Sequence, residues 1–296
     1  MSQEQVTDDK RLILLAVLAH PDDESFGMGG TLALYAQRSV AVHLICATRG
    51  EVGEVEAEYL QGYESIAQLR EHELRCAAEQ LGLAAVHFLD YRDSGMLGSE
   101  DNHHPQALAA APIEEVAGKL VAYIRRLRPQ VVVTFDPIGG YRHPDHVAVH
   151  EATKKAFFGA ADLEAFPGDL PTYQPQKLYF YTFPRRVLRW AVRLLPLFGK
   201  DPSRFGQNED VNLASLVDED FPVHARIDYS QVAEKKQAAS ACHASQGGLG
   251  MAGGPWPLRV AFRLFGAKDN FMRAYPPVEN GREEHDLFAG GFFPHD

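Results

Sequence analysis

The sequence has no surplus of basic residues, few cysteines and no apolar run long enough to cross a bilayer. Its 29 Lys and Arg are outnumbered by 40 Asp and Glu, and the resulting formal net charge of −11 argues against a nucleic-acid partner. Residues 1–10 lack the basic start and the apolar stretch of a signal peptide. We therefore expect a cytoplasmic protein without a transmembrane segment and without peripheral membrane contact.

The three cysteines give no sign of a metal site, because Cys46, Cys76 and Cys242 lack the spacing of paired ligands. They also cannot all pair with one another. We interpret them as packing residues in a reducing compartment. The chain of 296 residues, 45% of them hydrophobic, is long enough for one large α/β core.

Apolar runs and amphipathic segments alternate along the first half of the chain and slightly beyond it. The runs that predict strands are 12–18, 41–47, 86–89, 131–135 and 178–182. The segments that predict helices are 26–37, 65–81, 113–127 and 144–158. This alternation is typical of an α/β protein with a Rossmann-like, doubly wound, mainly parallel sheet and helices on both faces.

An acidic cluster with one histidine follows the first predicted strand. His20, Asp22, Asp23 and Glu24 stand where that strand ends and the next helix begins, and the carboxyl ends of strands are where open α/β sheets bind ligands. The carboxylates would repel one another without a positive charge, and His20 and Asp23 can both turn toward one divalent metal. The alternative is a helix N-cap, which accounts for Asp22 or Asp23 alone.

A second cluster of His and Asp follows the predicted strand 131–135. It runs from Asp136 to His146 and includes His143 and Asp145. Two strand ends with such clusters strengthen the metal hypothesis. His and carboxylate ligands with an open position are typical of catalytic zinc, so we expect Zn²⁺, with another divalent metal such as Fe²⁺ as the alternative.

The two clusters contain the sequences AHPDDE and HPDH. At this spacing they resemble the paired motifs of the LmbE/PIG-L family of zinc-dependent N-deacetylases. The resemblance implies that His20, Asp23 and His146 bind the metal. It also implies that Asp22 is the general base, although a hydrogen bond from Asp22 to a metal ligand is the alternative. The segment His-Ala-Ser-Gln that begins at His243 is similar to family members too.

His143 lies three residues before His146, so both imidazoles can point into one pocket from a single helical turn. We predict that His143 donates to the oxyanion or protonates the leaving amine and that Asp145 holds its other nitrogen. Tyr141 is a second candidate donor to the oxyanion, with ordinary packing as the alternative. His150 also has ligand spacing, but the ligands from AHPDDE leave it redundant, and we expect a structural residue.

Two further residues are candidates for binding the substrate. The resemblance implies Arg70, because family members have an Arg ahead of a helical Glu-Leu pair, here Glu73-Leu74. Asp93 follows the third predicted strand, where a carboxylate can accept sugar hydroxyls; the alternative is an Asx-turn. Asp93 and the run Gly139-Gly140-Tyr141 resemble the mycothiol-pathway branch of the family, which deacetylates a GlcNAc-inositol.

The pattern of the sequence becomes irregular beyond residue 184. We assign residues 1–184 to a Rossmann-like catalytic core and residues 185–296 to a C-terminal extension that completes the core and the substrate pocket within one compact domain. Two basic amphipathic stretches, 185–199 and 256–266, are predicted to pack on the core or on another subunit of a homo-oligomer. The alternative for both is an apolar lid or a membrane contact.

Together these features predict a metal-dependent hydrolase that removes the N-acetyl group from a small molecule containing N-acetylglucosamine. One alternative is an amidase of the same fold that acts on a larger amide, such as a thiol conjugate. Another is a metal-dependent sugar-binding protein without catalysis. A dinucleotide-binding enzyme is disfavoured, because Gly27-Met28-Gly29-Gly30 lacks the G-x-G-x-x-G spacing.

Overall fold

The computed structural model describes residues 11–182, 220–248, 267–278 and 281–290, with short pieces at 189, 192–193, 195–198, 201–203 and 216. The basic amphipathic stretch predicted at 256–266 lies outside these ranges, and the one predicted at 185–199 lies partly outside them. Among the helices within them, none combines the length and the apolar character needed to cross a membrane.

The strands of the described residues form one mixed sheet. They are β1 Ile13–Leu18, β2 Ala41–Cys46, β3 Ala85–Phe88, β4 Val131–Phe135, β5 Lys177–Thr182, β6 Ala225–Asp228 and β7 Lys268–Tyr275. Their order across the sheet is β3-β2-β1-β4-β5-β7-β6. Strands β1 to β5 pair in parallel, and β7 pairs antiparallel with both β5 and β6. The predicted α/β class with a mainly parallel sheet is confirmed.

The described helices surround this sheet. They are α1 Gly29–Gln37, α2 Ile66–Leu81, α3 Ile113–Leu127, the short α4 Gly139–Arg142, α5 Pro144–Gly159 and α6 Ala233–Cys242. They contact one another in two groups, α3 with α5 and α1 with α2 and α6. This grouping is expected for helices on two faces of a sheet. A π-helical turn, Glu24–Met28, precedes α1 where the sequence predicted a continuous helix.

Strand β1 lies inside the sheet between β2 and β4 and is apolar because it is covered on both faces. Leu14, Leu15 and Val17 are all 0% exposed, and burial of each such side chain contributes about 1.5–3 kcal/mol. The chain moves from β1 to β2 and β3 on one side and then returns to place β4 on the other. The carboxyl ends of β1 and β4 therefore meet at the point where the strand order reverses, which is the expected ligand site.

The region beyond residue 184 is more regular than the sequence indicated. It supplies β6 and β7 to the same sheet, with β7 inserted between β5 and β6. Pattern analysis of the sequence missed β7 because polar residues interrupt its apolar pattern. Asp269 and Asn270 are nevertheless buried in the structure. Asp269 is satisfied there, because its Oδ2 accepts hydrogen bonds from N and Oγ1 of Thr31 at 2.9 and 2.7 Å.

The interpretation of all three cysteines as packing residues is wrong for two of them. Cys76 of α2 and Cys242 at the end of α6 form a disulfide. Cys46 is a free, buried thiol. The bonded pair is separated by 166 residues, and the packing of α2 against α6 is what brings its two members together. Sequence spacing gave no sign of that packing.

Candidate active site

The ends of β1 and β4 bring the three predicted metal ligands together. His20 Nδ1 lies 3.2 Å from His146 Nε2. Asp23 approaches both, with Oδ2 3.6 Å from His20 Nδ1 and Oδ1 3.3 Å from His146 Nε2. Two imidazole nitrogens and a carboxylate that face one another this closely fit the donor set of a divalent metal, and zinc accepts both ligand types.

Backbone geometry fixes the aspartate of this set. Asp23 Oδ2 accepts hydrogen bonds from the amides of Ala19 and His20, at 3.3 and 2.8 Å. Oδ1 is the oxygen nearer His146. Because the loop after β1 curls around this carboxylate, the strand end itself orients the predicted ligand.

The second nitrogen of His20 faces two more carboxylates. His20 Nε2 lies 3.1 Å from Asp145 Oδ2 and 3.5 Å from Asp93 Oδ1. Burial lowers the pKa of His20, but the charges and hydrogen bonds of Asp93 and Asp145 outweigh burial and hold that pKa above its ordinary value. A carboxylate behind a metal-binding imidazole fixes the orientation of the ring and raises its basicity. His20 is thus oriented from one side and open to a metal on the other.

Asp22 lies beside the ligand set in an unusual backbone conformation. Its φ is 124°, a value that residues with a side chain seldom adopt. The carboxylate accepts a hydrogen bond from Arg70 Nη2 at 3.0 Å. Burial raises the pKa of Asp22 to about 6, although Arg70 opposes the rise. A carboxylate with such a pKa can accept and release a proton near neutral pH.

Arg70 is buried and held by the protein. Besides its contact with Asp22, it donates to the carbonyl oxygens of Pro21 and Gly50, at 2.7 and 2.8 Å. Gly50 has a φ of 66°, and a Cβ there would lie 2.1 Å from Arg70 Nη1, so this position requires glycine. The predicted contact between Arg70 and the substrate stays a prediction.

His143 is the N-cap of α5. It is 5% exposed, and its Nδ1 accepts a hydrogen bond from the backbone N of Asp145 at 3.2 Å. Burial lowers the pKa of His143 to about 2, and the nearby His20 and His146 add to the fall. The imidazole is therefore neutral. Because Nδ1 accepts a hydrogen bond, the single ring proton is placed on Nε2.

The structure corrects the prediction that the carboxylate of Asp145 bonds to His143. That carboxylate accepts hydrogen bonds from both N and Oγ of Ser94 and also contacts His20. Asp145 holds His143 through its backbone amide instead. The difference arises because Asp145 is the second residue of α5, where its side chain points back toward the loop after β3. Ser94 was missed, since a lone serine carries no sequence signal for such a contact.

The remaining candidates lie close to the same centre. The Tyr141 ring packs edge-on against His143 and His146, with ring centroids 5.9 and 4.9 Å away. Asp93 forms the Asx-turn that was its alternative, because its Oδ1 accepts from the amide of Gly95 at 2.8 Å. The roles of Tyr141 as oxyanion donor and Asp93 as sugar ligand stay predictions.

His150 is placed as a structural residue. Its Nδ1 lies 2.9 Å from the carbonyl oxygen of Phe135, and its ring packs against Phe180 with centroids 4.4 Å apart. The side chain is 1% exposed. It therefore secures the end of β4 to α5 and offers a control for experiments on the metal ligands.

Comparison with solved structures defines the class of fold. The chain superposes on N,N'-diacetylchitobiose deacetylase from Pyrococcus horikoshii with a TM-score of 0.60, 19% identity and coverage of 89% of this chain and 84% of that one. GalB, the 4-carboxy-2-hydroxymuconate hydratase from Pseudomonas putida KT2440, gives a TM-score of 0.59, 23% identity and coverage of 90% and 98%. These likenesses define the fold, and the different reactions of the two proteins show that the fold does not determine the chemistry.

Sequence similarity then gives the family. Residues 15–157, which hold both motifs, match the family model described as PIG-L: GlcNAc-PI de-N-acetylase. A curated relative from Streptomyces avermitilis is 39% identical over 95% of this chain and 97% of its own length. It is named 1D-myo-inositol 2-acetamido-2-deoxy-alpha-D-glucopyranoside deacetylase. The chain belongs to the PIG-L family, as the resemblance of its motifs predicted.

Proposed function

We propose that this protein is a metal-dependent hydrolase that removes the N-acetyl group from a small molecule containing N-acetylglucosamine. A GlcNAc-inositol is the first substrate to test, because a relative that aligns over nearly the whole chain bears that name. The observation that carries the proposal is the convergence of His20, Asp23 and His146 beside Asp22 and His143. In the reaction, water adds to the acetamide carbonyl, the C–N bond breaks, and acetate and a free amine leave.

We assign His20 Nδ1, Asp23 Oδ1 and His146 Nε2 as ligands of Zn²⁺. When bound, zinc acidifies water and polarises a carbonyl group, both of which amide hydrolysis needs. The support is the donor chemistry, two imidazoles and one carboxylate. Asp145 and Asp93 stand behind His20 and keep its ring in place.

We assign the proton transfers to Asp22 and the hydrogen bond to the oxyanion to His143. Asp22 accepts a proton from the attacking water, since its pKa of about 6 leaves it ionised near neutral pH. Neutral His143 donates a hydrogen bond from Nε2 to the oxyanion and keeps its proton. The proton that Asp22 took from the water passes to the departing nitrogen, so water supplies both the hydroxyl group of acetate and the proton of the free amine. Amines leave poorly without that proton, so the metal alone is insufficient. Tyr141, beside His143, is the proposed second donor to the oxyanion.

We further propose that residues 185–296 complete the core and the substrate pocket of residues 1–184. The support is that β7 pairs with β5 and that His243 contacts Glu24 next to the ligands. Arg70 and Asp93 remain the proposed substrate-binding residues. The proposed compartment is the cytoplasm, where the disulfide between Cys76 and Cys242 would be an exception to the usual reduced state of thiols.

Zinc analysis and acetate release test the proposal together. The purified protein is assayed with N-acetylglucosamine and with 1D-myo-inositol 2-acetamido-2-deoxy-α-D-glucopyranoside. We expect acetate release and bound zinc in the wild type, and loss of both in His20→Ala, Asp23→Ala and His146→Ala. The matched control is His150→Ala, a buried histidine of α5 that should keep its zinc.

Two outcomes would contradict different parts of this proposal. Full zinc content in His20→Ala would show that the ligand assignment is wrong. A wild type that binds zinc and sugar but releases no acetate would favour the non-catalytic binding protein.

A further inference from the structure

The end of α6 reaches the acidic cluster that follows β1. His243, the residue after α6, is 0% exposed, and its Nε2 lies 2.7 Å from Oε1 of Glu24, which is also 0% exposed. Burial lowers the pKa of His243, but Glu24 and Asp22 outweigh burial and raise that pKa above its ordinary value. The two side chains thus form a buried, hydrogen-bonded pair next to the site.

The other oxygen of Glu24 holds the backbone of Asp22. Asp22 N donates to Glu24 Oε2 at 3.0 Å, and Asp22 O accepts from the amide of Phe26 at 2.9 Å. Since the φ of Asp22 is 124°, its conformation persists only if the surroundings enforce it. A chain of contacts therefore runs from His243 through Glu24 to the backbone of Asp22.

His243 is anchored independently of Glu24. Its neighbour Cys242 is bonded to Cys76 of α2. Two residues further on, Ser245 donates from N and Oγ to the two oxygens of Glu73, at 2.8 and 2.7 Å. These links fix the chain on both sides of His243, so the imidazole meets Glu24 from a fixed position.

We propose that His243 is a positioning residue for this deacetylation, which acts through Glu24 to hold Asp22 in the orientation that proton transfer requires. The inference rests on the proposed function, because it takes Asp22 as the general base. Without His243, Oε1 of Glu24 would keep only the hydroxyl of Ser25 as a partner. The carboxylate could then turn, and its hydrogen bond with the amide of Asp22 would weaken.

Three variants separate positioning from ordinary packing. His243→Ala removes both the charge and the donor, whereas His243→Gln keeps an amide nitrogen close to the place of Nε2. Ser245→Ala is the matched control, because it removes the buried Oγ bond to Glu73 but keeps the backbone bond to Glu73 and the disulfide that anchor His243, and it does not touch Glu24. Each is assayed as folded, zinc-loaded protein on the GlcNAc-inositol, with KM, kcat and zinc content measured separately.

We expect kcat of His243→Ala to fall by about 10²-fold, the effect of a small misplacement of a reacting group, with KM and zinc content unchanged. His243→Gln should recover most of that loss, and Ser245→Ala should lose stability while it keeps its kcat. Should His243→Ala fail to fold, His243→Asn, whose shorter amide does not reach Glu24, replaces it. An unchanged kcat in His243→Ala, or in His243→Asn where it replaces that variant, would overturn the proposal. An equal fall of kcat in Ser245→Ala would also overturn it.

Crystal structures of the same variants give a readout that needs no activity. We expect the positive φ of Asp22 and its bond to Glu24 to persist in His243→Gln and to be lost in the variant without the contact. If the positive φ of Asp22 and its bond to Glu24 were both retained in His243→Ala, or in His243→Asn where that variant replaces it, the positioning role would be refuted. If the wild type releases no acetate, the proposed function fails, and the crystal structures still decide whether His243 positions Asp22.

Discussion

At the scale of residues, several side chains of the site each make two contacts, one with a reacting group or predicted ligand and one with another part of the protein. His20 faces His146 with one nitrogen and Asp145 with the other. Arg70 donates hydrogen bonds from one nitrogen to a carbonyl oxygen of the loop after β1 and to the carboxylate of Asp22. Each such residue ties the orientation of a reacting group to the backbone nearby, which is the condition for precise catalysis.

The first prediction at this scale concerns the proposed base, Asp22, and the proposed oxyanion donor, His143. Asp22→Asn and His143→Ala should each retain zinc, because neither residue is among the assigned ligands. Their kcat should fall by about 10² to 10⁴-fold, the usual effect of removing a positioned base or a donor to the oxyanion. His87→Ala, a half-buried histidine of β3, is the control and should keep its activity. Near-normal turnover of both variants would refute the mechanism and leave the enzyme class standing.

The second prediction at the scale of residues concerns how the free energy of unfolding depends on pH. Burial lowers the pKa of His243, but Glu24, Asp22 and Glu73 outweigh it and raise the folded-state pKa. Its stabilising contribution is therefore complete below the unfolded pKa of about 6.5 and is lost as the pH rises through the folded-state value. Urea unfolding at about pH 6 and about pH 9 should show a larger loss of unfolding free energy for wild type than for His243→Gln. The same loss in both proteins would argue against a charged His243.

At the scale of elements, α2 connects the site with the C-terminal region. Arg70 and Glu73 stand three residues apart and so share one face of the helix, where Arg70 holds Asp22 and Glu73 holds Ser245. Cys76, three residues further, is bonded to α6. One helical face therefore orients both the candidate base and the segment that contains His243.

The start of α2 gives the prediction at this scale. Ser65 is the N-cap, and its Oγ accepts from the amide of Gln68 at 3.2 Å. Gln68 Oε1 in turn accepts from the amide of Glu64 at 2.7 Å. Ser65→Ala should lower the free energy of unfolding by about 1 kcal/mol in urea, whereas Ser65→Asp should preserve most of it. A loss of equal size in both variants would show that the cap bond is not the cause.

At the scale of the whole molecule, the sheet and the disulfide join distant parts of the chain. β7 places residues 268–275 beside β5, and the disulfide closes a separation of 166 residues. Cross-linking so long a loop restricts the unfolded chain far more than the folded one. The stability of the site thus depends on segments remote from the two motifs.

Reduction of the disulfide is the prediction at this scale. The double variant Cys76→Ser/Cys242→Ser should lose about 2–4 kcal/mol of unfolding free energy. A reducing agent should destabilise the wild type by a similar amount and leave the double variant unchanged, as measured by urea unfolding. Free thiols at Cys76 and Cys242 in protein purified without reductant would contradict the bond.

Much of the parallel core was predictable, because each strand from β1 to β5 is a mostly apolar run between turn signals. The prediction for α3 coincides with the observed Ile113–Leu127. The prediction failed for β7, whose buried Asp269 is paired with Thr31, 238 residues away along the chain. A polar residue in a strand looks exposed until its partner is known.

The sequence by itself determined the metal-ligand candidates and their place at two strand ends. Motif spacing and apolar periodicity are local properties, and the parallel sheet brings such ends to one edge. Only the tertiary structure decided that Asp145 bonds to Ser94, that Cys76 meets Cys242 and that His243 meets Glu24. The physical reason is that these contacts join segments far apart in the chain, whose encounter depends on how the helices pack over the finished sheet.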